Sequence, residues 1–188
     1  MGKSKPNGFK VKPMPLLKIR ELAHAVRSII LIKQGVSSLK QVNLEQLLEV
    51  LLPQMHVELD VIDDKDTSLG TDVPAGIIGK VLKIRDSAYV GMCNGRPRDV
   101  FTLFHEFGHI FLRHERTFAR ADVEDHEWVE DSEWQANAFA AECLMPVPEI
   151  RKNRLFTAEQ IYAFFGNVSR QAAEWRVVKL QKEGIVPV

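Results

Sequence analysis

Apolar residues at Leu16, Ile19, Leu22, Ala23, Val26, Ile29 and Ile30 recur at helical spacing and predict one long amphipathic helix, which Gly35 stops. His24 lies within it and reads as a surface or packing residue. A second, shorter helix starts after Asn43, whose side chain can cap the first turn while Gln46 closes a capping box, and Pro53 ends it. Val57, Leu59 and Val61 then alternate with His56, Glu58 and Asp60, the period of a half-buried strand with His56 toward solvent. Residues 63–75 form a polar turn region, and residues 77–84 and 88–93 predict two more strands, so the pattern gives a small antiparallel three-stranded sheet. Asn94-Gly95-Arg96-Pro97 turns the last of these straight into the next helix.

That helix, over residues 100 to about 114, has Asp99 as a good N-cap, and Phe104, Phe107 and Phe111 at a spacing that pins it into the core. His105 and His109 fall on a neighbouring face. Gly108 costs about 1 kcal/mol relative to Ala in a helix interior, which predicts close backbone approach there. His105-Glu106-Phe107-Gly108-His109 writes H-E-x-x-H, two imidazoles on one face able to share a metal ion, with Glu106 beside them suited to take a proton from water. This is the layout of a zinc peptidase. The competing reading is an amphipathic helix that carries these residues by chance, so the flanks decide. Residues 87–93 are a candidate edge strand to hold a substrate as an added strand, or one that merely packs under the helix.

A catalytic zinc site usually has three protein ligands. His114 is rotated about 180° from His105 on one helix and cannot join it there, and Glu115 stands where another peptidase class has its third histidine. A carboxylate from the acidic segment 122–133 can complete the set, with Glu127, Glu130, Asp131 and Glu133 as candidates ahead of an alanine-rich helix closed by Pro146. Asp131 shares its face with Gln135, Ala138 and Glu142, predicted to be the solvent side. Glu133 shares its face with Ala136, Asn137, Ala140 and Leu144, a small and largely apolar stripe that can lie against another helix, and is favoured. Glu130, only about 60° away, stays open on pattern alone.

Beyond Pro146 and Pro148, a short helix is followed by Thr157-Ala158-Glu159-Gln160, a capping box opening a helix that stops at Gly166. Ser169 caps another through Ala172, Val177, Val178 and Leu180. The pair resembles a helix-turn-helix, with DNA contact through Arg170, Gln171 and Arg176 as the functional reading. Tyr162, near where such motifs prefer a small residue, and a turn one residue long favour a tail packed on the preceding domain.

Composition narrows the setting. Lys plus Arg and Asp plus Glu each number 25 in 188 residues, so net charge selects no partner, nucleic acid included. Cys93 and Cys143 read as small buried hydrophobes rather than a disulfide. No apolar run reaches the roughly 18 residues of a membrane span, and the N-terminus lacks the apolar centre of a secretion signal. The expectation is a cytoplasmic protein without membrane contact, divided into a flexible basic tail over 1–15 bearing Lys3, Lys5, Lys10 and Lys12, a metallopeptidase domain over 16–146, and a C-terminal helical subdomain over 147–188.

The motif helix, followed after a spacer by Glu133-Trp134-Gln135-Ala136-Asn137-Ala138-Phe139-Ala140-Ala141-Glu142-Cys143-Leu144-Met145-Pro146, resembles the ImmA/IrrE family of bacterial and phage metallopeptidases. That family pairs H-E-x-x-H with a later E-x-x-x-N-x-F-A-x-x-L-M-P-like helix. Phe101-Thr102-Leu103-Phe104 also resembles the family's approach to the motif, with Phe104 where a small residue is commoner, and the match is most specific over residues 76–146. Carried over by position, the resemblance implies that His105, His109 and Glu133 bind Zn2+, that Glu106 is the catalytic acid/base, and that Asn137 orients a ligand. The fold expected is α+β, a gluzincin-like core in which the small sheet packs on the motif helix and a ligand helix, with helix-turn-helix-like helices at the C-terminus. The activity expected is that of a zinc endopeptidase cutting a helix-turn-helix repressor in a stress or mobile-element response. The alternative is a non-proteolytic regulator that binds a repressor, or DNA through its C-terminal helices. Tyr89, His126 and Tyr162 are candidates to steady an oxyanion.

Overall fold

The computed structural model describes residues 8–114 and 126–187; the expectations for Lys3, Lys5, Glu115 and the first part of the acidic segment lie outside them. Among the described residues the fold is α+β, with eight α-helices and one three-stranded sheet. The first helix, α1 (Leu16–Gln34), buries Ile19, Ala23, Val26 and Ile30 and ends at Gly35 in the left-handed conformation, as the spacing predicts. Asn43 caps α2 (Leu44–Gln54) by accepting from the Gln46 amide. The other half of the expected box is absent: the Gln34 side chain, not that of Gln46, accepts from the Asn43 amide and donates to its carbonyl, tying α2 to the end of α1. Pro53 sits inside the last turn rather than ending the helix.

The sheet departs from expectation in two ways. Strands β1 (Glu58–Ile62), β2 (Ala75–Ile78) and β3 (Val81–Arg85) lie in the order β1-β3-β2, with β1 parallel to β3 and β2 antiparallel to it. The 77–84 stretch is thus a hairpin folded at Gly79, whose φ of 63° suits a two-residue turn between the paired Ile78 and Val81. The stretch expected as a third strand is instead helix α3 (Asp86–Cys93). Ala88-Tyr89-Val90-Gly91-Met92 is a short apolar run without alternation, for which periodicity does not separate helix from strand. Asp64 settles it by accepting from the Ser87 amide in the first turn, while Arg85 gathers the carbonyls of Asp63, Asp64, Gly70 and Val73 beneath the same loop. No substrate strand can be drawn at residues 87–93. Cys93 ends α3 exposed rather than buried, whereas Cys143 is fully buried.

Helix α4 (Pro97–Phe111) begins three residues before its predicted start, with Pro97 in the first turn and Asp99 not at the cap but inside the helix, paired with Arg96. Gly91 leaves room for that pair, since a Cβ there would overlap both side chains. A 3₁₀ turn (Trp128–Glu130) leads into α5 (Ser132–Leu144), the central helix, which packs on α4 along one side and on α1 along another. The face containing Asp131, Gln135, Ala138 and Glu142, expected toward solvent, is therefore buried. Helices α6 (Val147–Lys152), α7 (Ala158–Phe165) and α8 (Arg170–Lys182) follow, with Thr157 and Ser169 as caps and Gly166 as the stop, all as predicted.

One apolar cluster joins Ile19 and Leu48 to Phe104, Phe139, Ile161, Ala173, Leu180 and Val186, running without interruption across the expected boundary at residue 146. The described part of the basic segment makes backbone hydrogen bonds to the chain at the start of α5 and just ahead of it. Residues 8–14 form a strap over the start of α5: Val11 donates to the Glu130 carbonyl, Met14 to that of Val129, and Ser132 to that of Phe9. No described helix is long and apolar enough to cross a membrane.

Candidate metal centre

Backbone contact between two helices builds the site. Phe104 and Phe107 are fully buried and fix the roll of α4, which turns His105 and His109 toward α5. At Gly108 the helices touch, and a Cβ would come within 2.8 Å of Ala136 Cα and 3.0 Å of its carbonyl oxygen. This is the close approach that a glycine in a helix interior predicts. It allows Glu133, one turn before Ala136, and Asn137, next to it, to reach across.

His105 Nε2 lies 3.2 Å from Glu133 Oε2, His109 Nε2 lies 3.4 Å from Glu133 Oε1, and the two Nε2 atoms are 3.0 Å apart. Tetrahedral coordination with bonds of roughly 2.0–2.1 Å separates neighbouring donors by about 3.4 Å. Two imidazoles and one carboxylate at these separations fit a divalent transition-metal ion with a fourth position left for water or substrate, and all three donors lie within 4.8 Å of one another. Glu133 belongs to the first turn of α5, where Asp131 caps the helix by accepting from the Trp134 amide. The competing carboxylates are engaged elsewhere. Asp131 also accepts from the Gly8 amide and meets His126, while Glu127 and Glu130 close a capping box on the 3₁₀ turn.

Asn137, one turn beyond Glu133, accepts through Oδ1 from His105 Nδ1 at 3.1 Å, which holds the ring and leaves Nε2 facing the cluster. Burial works against a charged His105, but the Glu133 hydrogen bond, the charges of Glu106 and Glu133, and Asn137 outweigh it and raise the imidazole's pKa above its ordinary value. At low pH, protons compete with a metal ion for such a ring. Glu106, 6% exposed, stands beside His105 on α4 and acts on it through its charge.

Helical geometry missed His114 and Gln135. His114 cannot share a face with His109 on α4, yet the chain leaves the helix at Leu112, turns through Arg113 at φ 56°, and brings His114 Nδ1 to 2.9 Å from His109 Nδ1. Gln135 meets the far nitrogen, its Oε1 2.9 Å from His114 Nε2. Burial lowers the pKa of His114. A non-glycine residue in the left-handed region leaves no compositional signal, and pattern reading had no means to find this return. Of the oxyanion candidates, Tyr89 faces Cys93 on α3, Tyr162 lies under the Arg170 guanidinium, and His126 sits 3.1 Å from Asp131 at the α5 cap.

Paired helices that present two imidazoles, a carboxylate donor and a neighbouring buried carboxylate define a metallohydrolase type of site. Residues 89–177 match the family model Peptidase M78, the IrrE N-terminal-like domain, in agreement with the resemblance to the ImmA/IrrE metallopeptidases. No curated protein matches it.

Proposed function

We propose that the chain is a zinc endopeptidase in which His105, His109 and Glu133 hold the ion and Glu106 is the acid/base, acting in the cytoplasm on a helix-turn-helix repressor whose cleavage starts a stress or mobile-element response. The observation that carries the chemistry is the convergence of three donor atoms within 4.8 Å, next to the buried Glu106 carboxylate. When bound, zinc polarises a substrate carbonyl and makes water acidic enough to react near neutral pH. Glu106 takes the proton from the attacking water and returns it to the leaving amine. Asn137 keeps the His105 ring in register, and the wall of Phe104 and Phe107 behind the motif keeps bulk water from the rear of the helix. A repressor as substrate rests on the family resemblance. The gluzincin-like arrangement is supported by the pairing of the motif helix with a ligand helix.

A regulator acting through DNA loses support at one residue. Arg176, one of its three expected contacts, is 2% exposed and committed to Glu142 and to the Met145 carbonyl. Co-expression with candidate repressors, followed by a search for a defined fragment, tests the peptidase reading. Glu106→Gln is expected to reduce cleavage by about 10²–10⁴ while zinc content stays the same. Cleavage undiminished in that variant, or de-repression in cells that survives it, would exclude the mechanism.

A further inference from the structure

Hydrogen-bond polarity can be followed outward from the backbone to the metal donors. Gln135 is 1% exposed, and its amide nitrogen donates to the carbonyl of Lys12 at 2.9 Å and to that of Val129 at 2.7 Å. An amide NH2 has two protons, so both are used and the orientation of the side chain is fixed by main-chain atoms. Oε1 is what remains for His114 Nε2, and a carbonyl oxygen only accepts. His114 therefore carries a proton on Nε2. In the neutral ring its Nδ1 is then an acceptor, and it lies 2.9 Å from His109 Nδ1. Two ring nitrogens bond only when one bears the proton, which places it on His109 Nδ1. His109 Nε2 is left with its lone pair toward His105 Nε2 and Glu133.

We propose that Gln135 and His114 are positioning residues that set the tautomer of His109, so that its Nε2 is ready for a metal before one arrives, and that the strap over residues 8–14 is part of this device. The strap supplies the Lys12 carbonyl that orients Gln135, and the Phe9 ring stands edge-on to His114 with centroids 6.3 Å apart. An N-terminal segment that contributes no donor thus controls the affinity of the site. The proposal rests on reading His105, His109 and Glu133 as the metal site, but the proton assignment is measurable without metal.

Two measurements on the full chain test it. In metal-free protein labelled with 15N-histidine at pH 8, two-bond proton–nitrogen correlation is expected to show His109 protonated on Nδ1 and His114 on Nε2. Protonation of His109 on Nε2 overturns the proposal. Zinc affinity is then measured by competition with a chromophoric chelator, with thermal melting to confirm that each variant folds. His114→Phe keeps the ring against Phe9 but removes the acceptor, and is expected to weaken zinc binding roughly 10- to 100-fold. His114→Gln, which offers a carbonyl oxygen, is expected to restore most of it. Equal weakening in both variants means that the ring acts through packing alone and defeats the idea. A wild-type protein that takes up no zinc strikes instead at the metal reading, and this shows in the same titration before any variant is made.

Discussion

Glu133 and Glu142 stand nine residues apart on α5, about 180° around the helix, and their surroundings have opposite characters. Both are carboxylates ringed by nitrogen atoms. Glu142 is wholly buried and meets guanidinium groups, Arg20 at 2.9 Å and Arg176 at 2.8 Å, with His24 3.5 Å away. Arginine brings its own permanent charge and protons, so the carboxylate charge of Glu142 is compensated there. Glu133 meets two imidazoles, whose Nε2 atoms converge without supplying a permanent charge. One face of the helix is closed electrostatically and joins α1, α5 and α8; the other presents the His105, His109 and Glu133 cluster that could hold a metal ion. A single helix thus separates anchoring from chemistry by a half turn.

Exchanging the roles of the two glutamates tests that separation most severely. Glu133→Ala should reduce zinc affinity by more than the roughly 10- to 100-fold typical of residues that only orient a ligand, while leaving the metal-free melting curve within about 1 kcal/mol of wild type. Retained zinc stoichiometry in that variant would mean that another group completes the site.

Glu142→Gln should do the reverse, costing on the order of 3–5 kcal/mol in urea unfolding because Arg176 is left buried without its counter-charge. The pH dependence adds a signature. Burial opposes the Glu142 charge, but the contacts from His24, Arg176 and Arg20 hold its carboxyl well below the usual carboxylate range. A group with a lowered folded pKa stabilises fully above its unfolded value of about 4.3 and loses that contribution as the pH falls below it. Melting temperature followed from pH 7 to pH 3 should therefore decline less steeply in Glu142→Gln than in wild type. Parallel curves would assign the acid sensitivity to other groups.

Gly108→Ala comes next, at about 1–3 kcal/mol, since its methyl group meets the α5 backbone rather than a movable side chain. If the helices separate to accommodate it, zinc affinity falls with stability, and a loss in one alone would show that helix approach and donor geometry are independent. The smallest effect is expected at Arg170→Ala. Its ion pair with Glu159 joins two side chains each 65% exposed, and removing it should change stability by less than about 1 kcal/mol. A larger change would make the outer surface of α8 structural as well.

The legible parts of the molecule are those governed by local periodicity and caps. The long first helix, the Asn43, Thr157 and Ser169 caps, the Gly166 stop and the close approach at Gly108 all follow from residue type and spacing. Three failures share one cause, that pattern cannot count neighbours. The 88–93 run lacked a period and became helix because Asp64, far off in sequence, caps it. Asp131, Gln135 and Glu142 read as a solvent face because a polar stripe usually is one, yet two further elements cover it. His114 was set aside by correct helical geometry that ceased to apply once the helix ended at Phe111. As for the candidate cluster, His105 and His109 are legible as a motif and Glu133 as a stripe, whereas the contacts of Asn137, His114 and Gln135 with the two histidines and with the strap depend on segments far apart in the chain.

The strap over α5 has a consequence for how the protein is made. The Gly8 amide bonds to Asp131 across 123 positions, and Gly8 lies so close that a Cβ would fall 2.7 Å from the Glu133 amide. Gly8 has no Asp131 to bond to until 123 further residues have been made. Closing so long a loop is entropically costly and is rewarded only once α5 is in place. Docking of residues 8–14 therefore follows the placement of α5 rather than preceding it.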